Sequence, residues 1–274
     1  MGKPKLKRKS TLIDMTAMSD VTVLLLTFFM LTSTFLAKEP TTVITPSSVS
    51  EEKVPMEDLV TILVSGAQDP NANKLTDPTM GKVFLGITGE ADSVFSGEKI
   101  RRDWIREAAA IYNRQAEKKD KERVTFTDQQ IDAFVKLPMF GVPMADLPEF
   151  LSKSTHDQDN FYKYNPADPK AYQGVGIPVS MNRDTENLNE FQVWMQALQN
   201  IAQRYKNEGI VNMDGTTSAP NEQLFDALKR SGRAIALKGD KDTPYSIMDV
   251  VLDNLKTIKL NKLTFVTALT SVDE

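Results

Sequence analysis

Apolar positions are spread unevenly along the chain. From Val21 to Ala37, seventeen residues carry no charge (VTVLLLTFFMLTSTFLA). Extended back to Met18, the run takes in Ser19 and one acid, Asp20. Twenty residues at about 1.5 Å each give a helix about 30 Å long, the thickness of a bilayer's hydrocarbon core. The pattern therefore predicts a transmembrane helix over 18–37. Further on, Leu59 to Ser65 and Lys82 to Thr88 are β-branched runs around a Gly-, Asn-, Asp- and Pro-rich stretch, which predicts a hairpin with a long tip. Over 97–118, Ile100, Trp104, Ile105, Ala108, Ile111 and Tyr112 make one apolar helical face. A short helix over 127–136 starts at Thr127, and a longer one over 187–207 buries Phe191, Trp194, Met195, Leu198, Ile201 and Tyr205. The stretch 137–174, rich in Pro, Asp, Asn, Tyr and Lys, predicts a long irregular connection. A strand is expected over 175–181 and a helix over 221–230, ended by Gly232.

The last forty residues predict a strand (233–238), a turn at Gly239-Asp240-Lys241-Asp242, and a helix from Pro244 to about Ile258 capped by Thr243. A closing strand follows over 263–269. Strand, helix and strand in so short a span make a βαβ unit. Between the membrane run and the first strand, residues 38–57 contain Pro40, Pro46 and Pro55. They predict an extended tether in which Thr41 to Ile44 becomes a strand only if offered an edge. The fold class expected is α+β: one N-terminal transmembrane helix plus a mixed α/β domain ending in a strand-helix-strand unit. The expected divisions are a basic tail (1–17), the membrane helix (18–37), the linker (38–57) and the domain (58–274).

Charge adds a direction. The net charge is −4, but Lys3, Lys5, Lys7, Arg8 and Lys9 all lie in the first thirteen residues, leaving 28 bases against 37 acids and a net of −9 beyond. A tip this basic on an acidic chain does not suit a nucleic-acid binder. By the positive-inside rule the N-terminus is cytoplasmic, and everything after about residue 38 lies across the membrane. A cleaved signal peptide fits poorly, because Phe35 stands where a small residue is wanted before a cut after Ala37. There is no cysteine and one histidine, His156, so disulfides, zinc-thiolate sites and two-histidine metal sites are excluded. His156 among Asp157 and Asp159 reads as a solvated loop residue. The aromatics Phe161, Tyr162, Tyr164 and Tyr172 read as loop packing in preference to a sugar or peptide face. The turn KGDKDT lacks the glycines of a phosphate loop and carries two acids that repel phosphate.

Asp20 is the residue with the most chemistry. At a helix's cytoplasmic end it is an N-cap. A turn further in, it costs free energy, about 2.5–3.5 kcal/mol at the helix centre, unless it is protonated or faces a partner or water. Thr27 and Thr34 lie seven and fourteen residues after it and Thr16 four before, nearly on its face, while Thr22 and Thr32 do not. The polar stripe favours the second reading.

The run IDMTAMSDVTVLLLTFFMLTST, residues 13–34, resembles the membrane signature of the ExbD/TolR family at Asp14, Thr16, Met18, Asp20, Val21 and the Leu24 to Met30 block. Ala17 replaces the family's usual proline, and Ser19 a usual hydrophobe. The C-terminal stretch from Gly239 to Tyr245, with Val250, Leu255 and Phe265-Val266-Thr267, resembles the end of the family's periplasmic domain. About half the chain is covered, and residues 90–180 have the look of an insertion. The resemblance implies a single-pass inner-membrane protein, N-terminus in the cytoplasm and C-terminal domain in the periplasm. It further implies a proton-motor subunit and not an enzyme, with no cofactor and no metal. Implied partners are a five-subunit ExbB-like ring, a second ExbD-like subunit, and a TonB-like or TolA-like protein or the cell wall, with no nucleic acid. Asp20 would carry the proton, and Thr16, Thr27 and Thr34 would support it from the pore face. Transport energisation and TolR-like envelope maintenance both fit, as does a tethered binding or scaffold domain without proton transfer.

Overall fold

A computed structural model describes residues 15–32, 39–41, 43–48, 59–65, 82–88, 98–118, 123–162, 175–211, 215–231, 234–241 and 243–269. The chain divides into two compact units, Met1–Ala37 and Lys38–Glu274. The first contains helix α1 (Met15–Thr32). The second is mixed α/β, built on a five-stranded mixed sheet.

The expected hairpin is the centre of that sheet. Strands β2 (Leu59–Ser65) and β3 (Lys82–Thr88) pair antiparallel over their whole length. Val60, Ile62, Leu63 and Val64 of β2 and Val83, Phe84, Leu85 and Ile87 of β3 are all buried. Near-continuous burial is what β-branched runs without polar alternation predict for strands covered on both faces. Strand β5 (Ile235–Gly239) lies parallel to β2, and β6 (Thr264–Val266) parallel to β5. Helix α8 (Tyr245–Thr257) links these last two, so the βαβ unit forms as expected. Strand β4 (Met139–Phe140) adds the opposite edge, giving the order β4-β3-β2-β5-β6.

Three helices converge on an aromatic cluster over the sheet. Helix α2 (Glu98–Lys118) brings Trp104, α3 (Asp128–Lys136) brings Phe134, and α6 (Glu190–Glu208) brings Trp194. The Trp104 and Trp194 rings meet edge-to-face at 5.4 Å, Phe140 of β4 sits 4.6 Å from Trp194, and the Trp104 indole donates to the Trp194 carbonyl at 2.9 Å. Capping boxes start both α3 (Thr127 with Gln130) and α6 (Asn189 with Gln192). Arg101 ties α2 to its surroundings. One guanidinium nitrogen donates to the Val135 carbonyl at 2.6 Å at the end of α3, the other to the Ile87 carbonyl at 2.6 Å on β3.

Several expectations need correcting. The stretch 137–174 is not simply irregular: besides β4 it forms α4 (Leu147–Ser152) and α5 (Thr155–Phe161). Both are under eight residues, too short to show a period. Pro148 in the first turn of α4 and the Ser154 cap of α5 start helices where composition alone suggested a loop. Residues 175–181 are extended but form no strand. The Ile177 amide reaches the Val83 carbonyl at 2.8 Å, Gly176 has φ +96°, and Pro178 has no amide to continue a ladder. The helix after Pro220 is α7 (Gln223–Asp226), continued as a π-turn over Ala227–Ser231. Thr243 does not cap α8; its hydroxyl donates to the Val64 carbonyl at 3.2 Å. The closing strand is split into β6 and β7 (Ala268–Leu269).

The linker is not a free tether throughout. Lys238 Nζ meets Glu39 Oε1 at 2.6 Å, Thr41 is buried, the Lys241 amide donates to the Ile44 carbonyl at 2.8 Å, and β1 (Ser47–Ser48) pairs parallel with β7. Residues 39–48 thus lie as a strap on the end of the sheet.

Gly86 fixes where the β4 edge can lie. A Cβ there would stand 2.5 Å from both the Pro138 carbonyl oxygen and Met139 Cγ. Gly86→Ala is therefore expected to cost about 1–3 kcal/mol by overpacking. Trp104 and Trp194 are the chain's two tryptophans, so denaturant unfolding followed by their fluorescence reads this directly. An unchanged midpoint would show that β4 is not held against Gly86.

Candidate functional site

Helix α1 has 18 residues, about 27 Å at the helical rise. Every described side chain from Met18 to Leu31 is exposed, with exposures from 49% at Leu25 to 87% at Leu31 among the large apolar ones. A helix this apolar on all sides has no stripe to bury against a core, so it needs cover all round. Among the described residues no helix is long and apolar enough to cross a membrane. The apolar sequence run continues through Ala37, beyond the described part of the helix.

Asp20 lies five residues inside the start of α1, so it is not the N-cap. It is exposed, and it is the only ionisable residue between Met15 and Thr32. Thr27 is two turns on and on the same face, but its hydroxyl donates to the Leu24 carbonyl at 2.9 Å. Thr22, off that face, bonds back to the Met18 carbonyl and to the Ser19 carbonyl at 3.2 Å. Both threonines thus satisfy themselves on the preceding turn, which is what side-chain hydroxyls do where no partner is at hand. The Thr16 side chain and all of Thr34 lie outside the described residues, so the full stripe is not assembled.

The other sequence candidates fall into structural roles. His156 sits on α5, not in a loop, and is exposed, with Nδ1 3.7 Å from Asp157 Oδ1. No cluster among the described residues could hold a metal ion. Phe161 and Tyr162 pack edge-to-face against Phe150 at 5.3 and 5.5 Å, as loop packing required. Tyr164 and Tyr172 lie outside the described residues. The turn after β5 works as a clasp. The Asp240 carboxylate accepts from the Ile44 amide at 3.3 Å, and the Asp240 amide donates to Val64 at 3.0 Å. An acid that accepts from a backbone amide is consistent with the weak phosphate reading.

One buried polar centre was not anticipated. Asp103 on α2 is 7% exposed and is contacted by Lys99 Nζ at 2.6 Å, Arg204 Nη2 at 3.1 Å and the Tyr205 hydroxyl at 2.8 Å. Its spacing from Lys99 was visible in sequence; its partners on α6 are about a hundred residues away. Burial first, and then the Asp103 carboxylate, push the Tyr205 phenol well above its ordinary range.

Residues 7–127 match the family model described as biopolymer transport protein ExbD/TolR. This region is an ExbD/TolR domain. The match spans α1, the strap, the β2–β3 hairpin, α2 and the cap of α3, and it supports membership of the ExbD/TolR family. The C-terminal turn Gly239–Tyr245, which also resembles that family, lies beyond the matched residues. No curated protein and no solved structure matches the chain. An ExbD/TolR domain points to a subunit of a biopolymer-transport motor, a family of transport proteins and not of enzymes.

Proposed function

We propose that this chain is a single-pass inner-membrane proton-motor subunit. Residues 18–37 form the span, the basic tail lies in the cytoplasm and residues 38–274 lie in the periplasm. The reading rests on one observation: Asp20 is the sole ionisable group within a helix whose large apolar side chains are exposed. The ExbD/TolR match makes that arrangement a motor element more readily than a plain anchor.

In this mechanism Asp20 takes a proton from the periplasmic side while facing a polar path in a five-subunit ExbB-like ring. Neutral, it moves past apolar ring surface at low cost; releasing the proton to the cytoplasm restores its attraction to polar ring groups. Each proton falling through 100 mV supplies about 2.3 kcal/mol. Thr16, Thr27 and Thr34 would line the same face. A second copy or a paralogue completes the pair of helices in the ring, and the periplasmic domain passes motion to a TonB-like protein. A TolA-like partner and envelope maintenance form the second reading, which the same residues support equally.

The partner claim is tested by affinity purification in mild detergent. The expected result is co-purification of a multi-helix ring protein in excess over this chain. Recovery of a lone monomer from intact membranes would count against the motor.

A further inference from the structure

The β4 edge of the sheet opens into a groove of about 1050 Å³ between α3, α5 and the strap. Its lining includes the buried apolar side chains of Met139, Leu151 and Tyr162, the buried polar Thr41 and Gln158, and the exposed Lys136. Apart from the strap, all of these residues lie beyond the ExbD/TolR match.

Two features of the groove point the same way. The first is a strand edge used only in part. Among the described residues β4 has β3 as its only sheet neighbour. The Val83 carbonyl already accepts from Ile177 on the β4 side of β3, so by the alternation of a strand Leu85 faces that side too. Leu85 is opposite Phe140, which makes theirs the hydrogen-bonded pair and Gly86–Met139 the non-bonded one. The Met139 amide and carbonyl therefore point outward. Gly141, two residues on, agrees: its carbonyl accepts from Gly176 at 2.8 Å and its amide donates to the Tyr162 hydroxyl at 3.3 Å, both away from β3. An outward donor and acceptor on one residue is the smallest anchor for an added strand.

The second feature is charge. Asp132 is paired with Arg102 at 2.5 Å, Glu39 with Lys238 at 2.6 Å and Lys153 with Glu149 at 3.1 Å; Asp159 has an interaction too, and its carboxylate adds to burial in raising the Tyr162 phenol. Among the described residues Lys136 is the rim charge left without a partner, exposed at the end of α3. An apolar floor beside one unpaired lysine suits an extended chain with alternating apolar and acidic residues.

We propose that this groove binds an extended acidic peptide segment of a partner protein, which pairs with Met139 as an added strand and sets a carboxylate against Lys136. The site is independent of Asp20 and of the proton mechanism.

The test uses the full chain in mild detergent and a fluorescein-labelled, C-terminally blocked octapeptide of alternating valine and glutamate. Anisotropy should show saturable binding, and hydrogen exchange should show new protection at the Met139 amide. Met139→Pro removes the outward amide without touching the bonds to β3, and should weaken binding about tenfold. Lys136→Glu, on an exposed helix end, should do the same, and it decides the matter if Met139→Pro fails to fold. A valine–lysine octapeptide should bind at least about tenfold more weakly. Absence of saturable binding, equal binding of the lysine peptide, unchanged affinity in Lys136→Glu, or protection at the β6 edge instead would each overturn the proposal.

Discussion

Asp20→Asn is expected to stop proton-coupled work while the chain still accumulates and still enters its complex. Asparagine matches aspartate in size and can sit in the same helical turn, so α1 keeps its shape. What it loses is the ability to take up and give back a proton. An uncharged amide is also easier to hold in hydrocarbon than a carboxylate, whose cost near the helix centre is about 2.5–3.5 kcal/mol, so insertion is not impaired. Proton flux through vesicles containing the chain and the proposed ring protein should fall by at least about a hundredfold, the scale on which a positioned proton-transfer group acts. Asp20→Glu should retain part of the flux. Thr27→Val should change it far less, because the Thr27 hydroxyl is already bonded to Leu24 within the helix. Wild-type flux in Asp20→Asn would end the motor mechanism and leave a tethered binding domain as the better reading.

The second large effect concerns the domain and not the helix. Asp103→Ala removes a buried acceptor from Tyr205, Lys99 and Arg204 together. Breaking such a centre typically costs about 3–5 kcal/mol. Lys99 and Arg204 reach solvent, so they recover some hydration, and the lower end of that range is expected. Tyr205 is 2% exposed and cannot recover it. Denaturant titration of tryptophan fluorescence measures the loss; a change under about 1 kcal/mol would mean the centre contributes little. The same centre sets an alkaline limit. The Tyr205 phenol titrates higher in the folded chain than in the unfolded one, so its contribution is whole below about pH 10 and is lost as pH rises through the folded value. Tyr205→Phe should therefore flatten the fall in stability above about pH 10, leaving a remainder from Tyr162, whose phenol burial also raises.

How much of this was legible beforehand depended on the range of the interactions. Helices α2, α6 and α8 announce themselves through periodicity, because each buries one face, and the hairpin through two β-branched runs around a turn-rich stretch. The cap of α3 was legible for the same local reason, Thr127 standing three residues before Gln130. Asp20 was legible because one acid in a long apolar run is conspicuous in one dimension. Elements shorter than two helical turns were not, which is why α4, α5 and β4 were read as loop. Long-range partners were invisible altogether. Nothing near Asp103 in sequence names Tyr205, and nothing near Thr243 says that its hydroxyl is taken by Val64 and so is not free to cap a helix. The strap needed the edge of β7, which lies more than two hundred residues further on.

That strap has a mechanical consequence. The N-terminal end of the domain is fastened to its C-terminal strands through Glu39 to Lys238, Ile44 to Lys241 and the parallel β1–β7 bridge. Two strands running the same way and pulled along their length share the load across all their bonds, whereas a peeled edge gives up its bonds one at a time. A tug on the residues before Glu39 therefore reaches β5 of the sheet, and β7, which follows β6 in sequence order, before it can strain β2, the strand that follows the strap in sequence. The domain meets tension with its two chain ends clamped together.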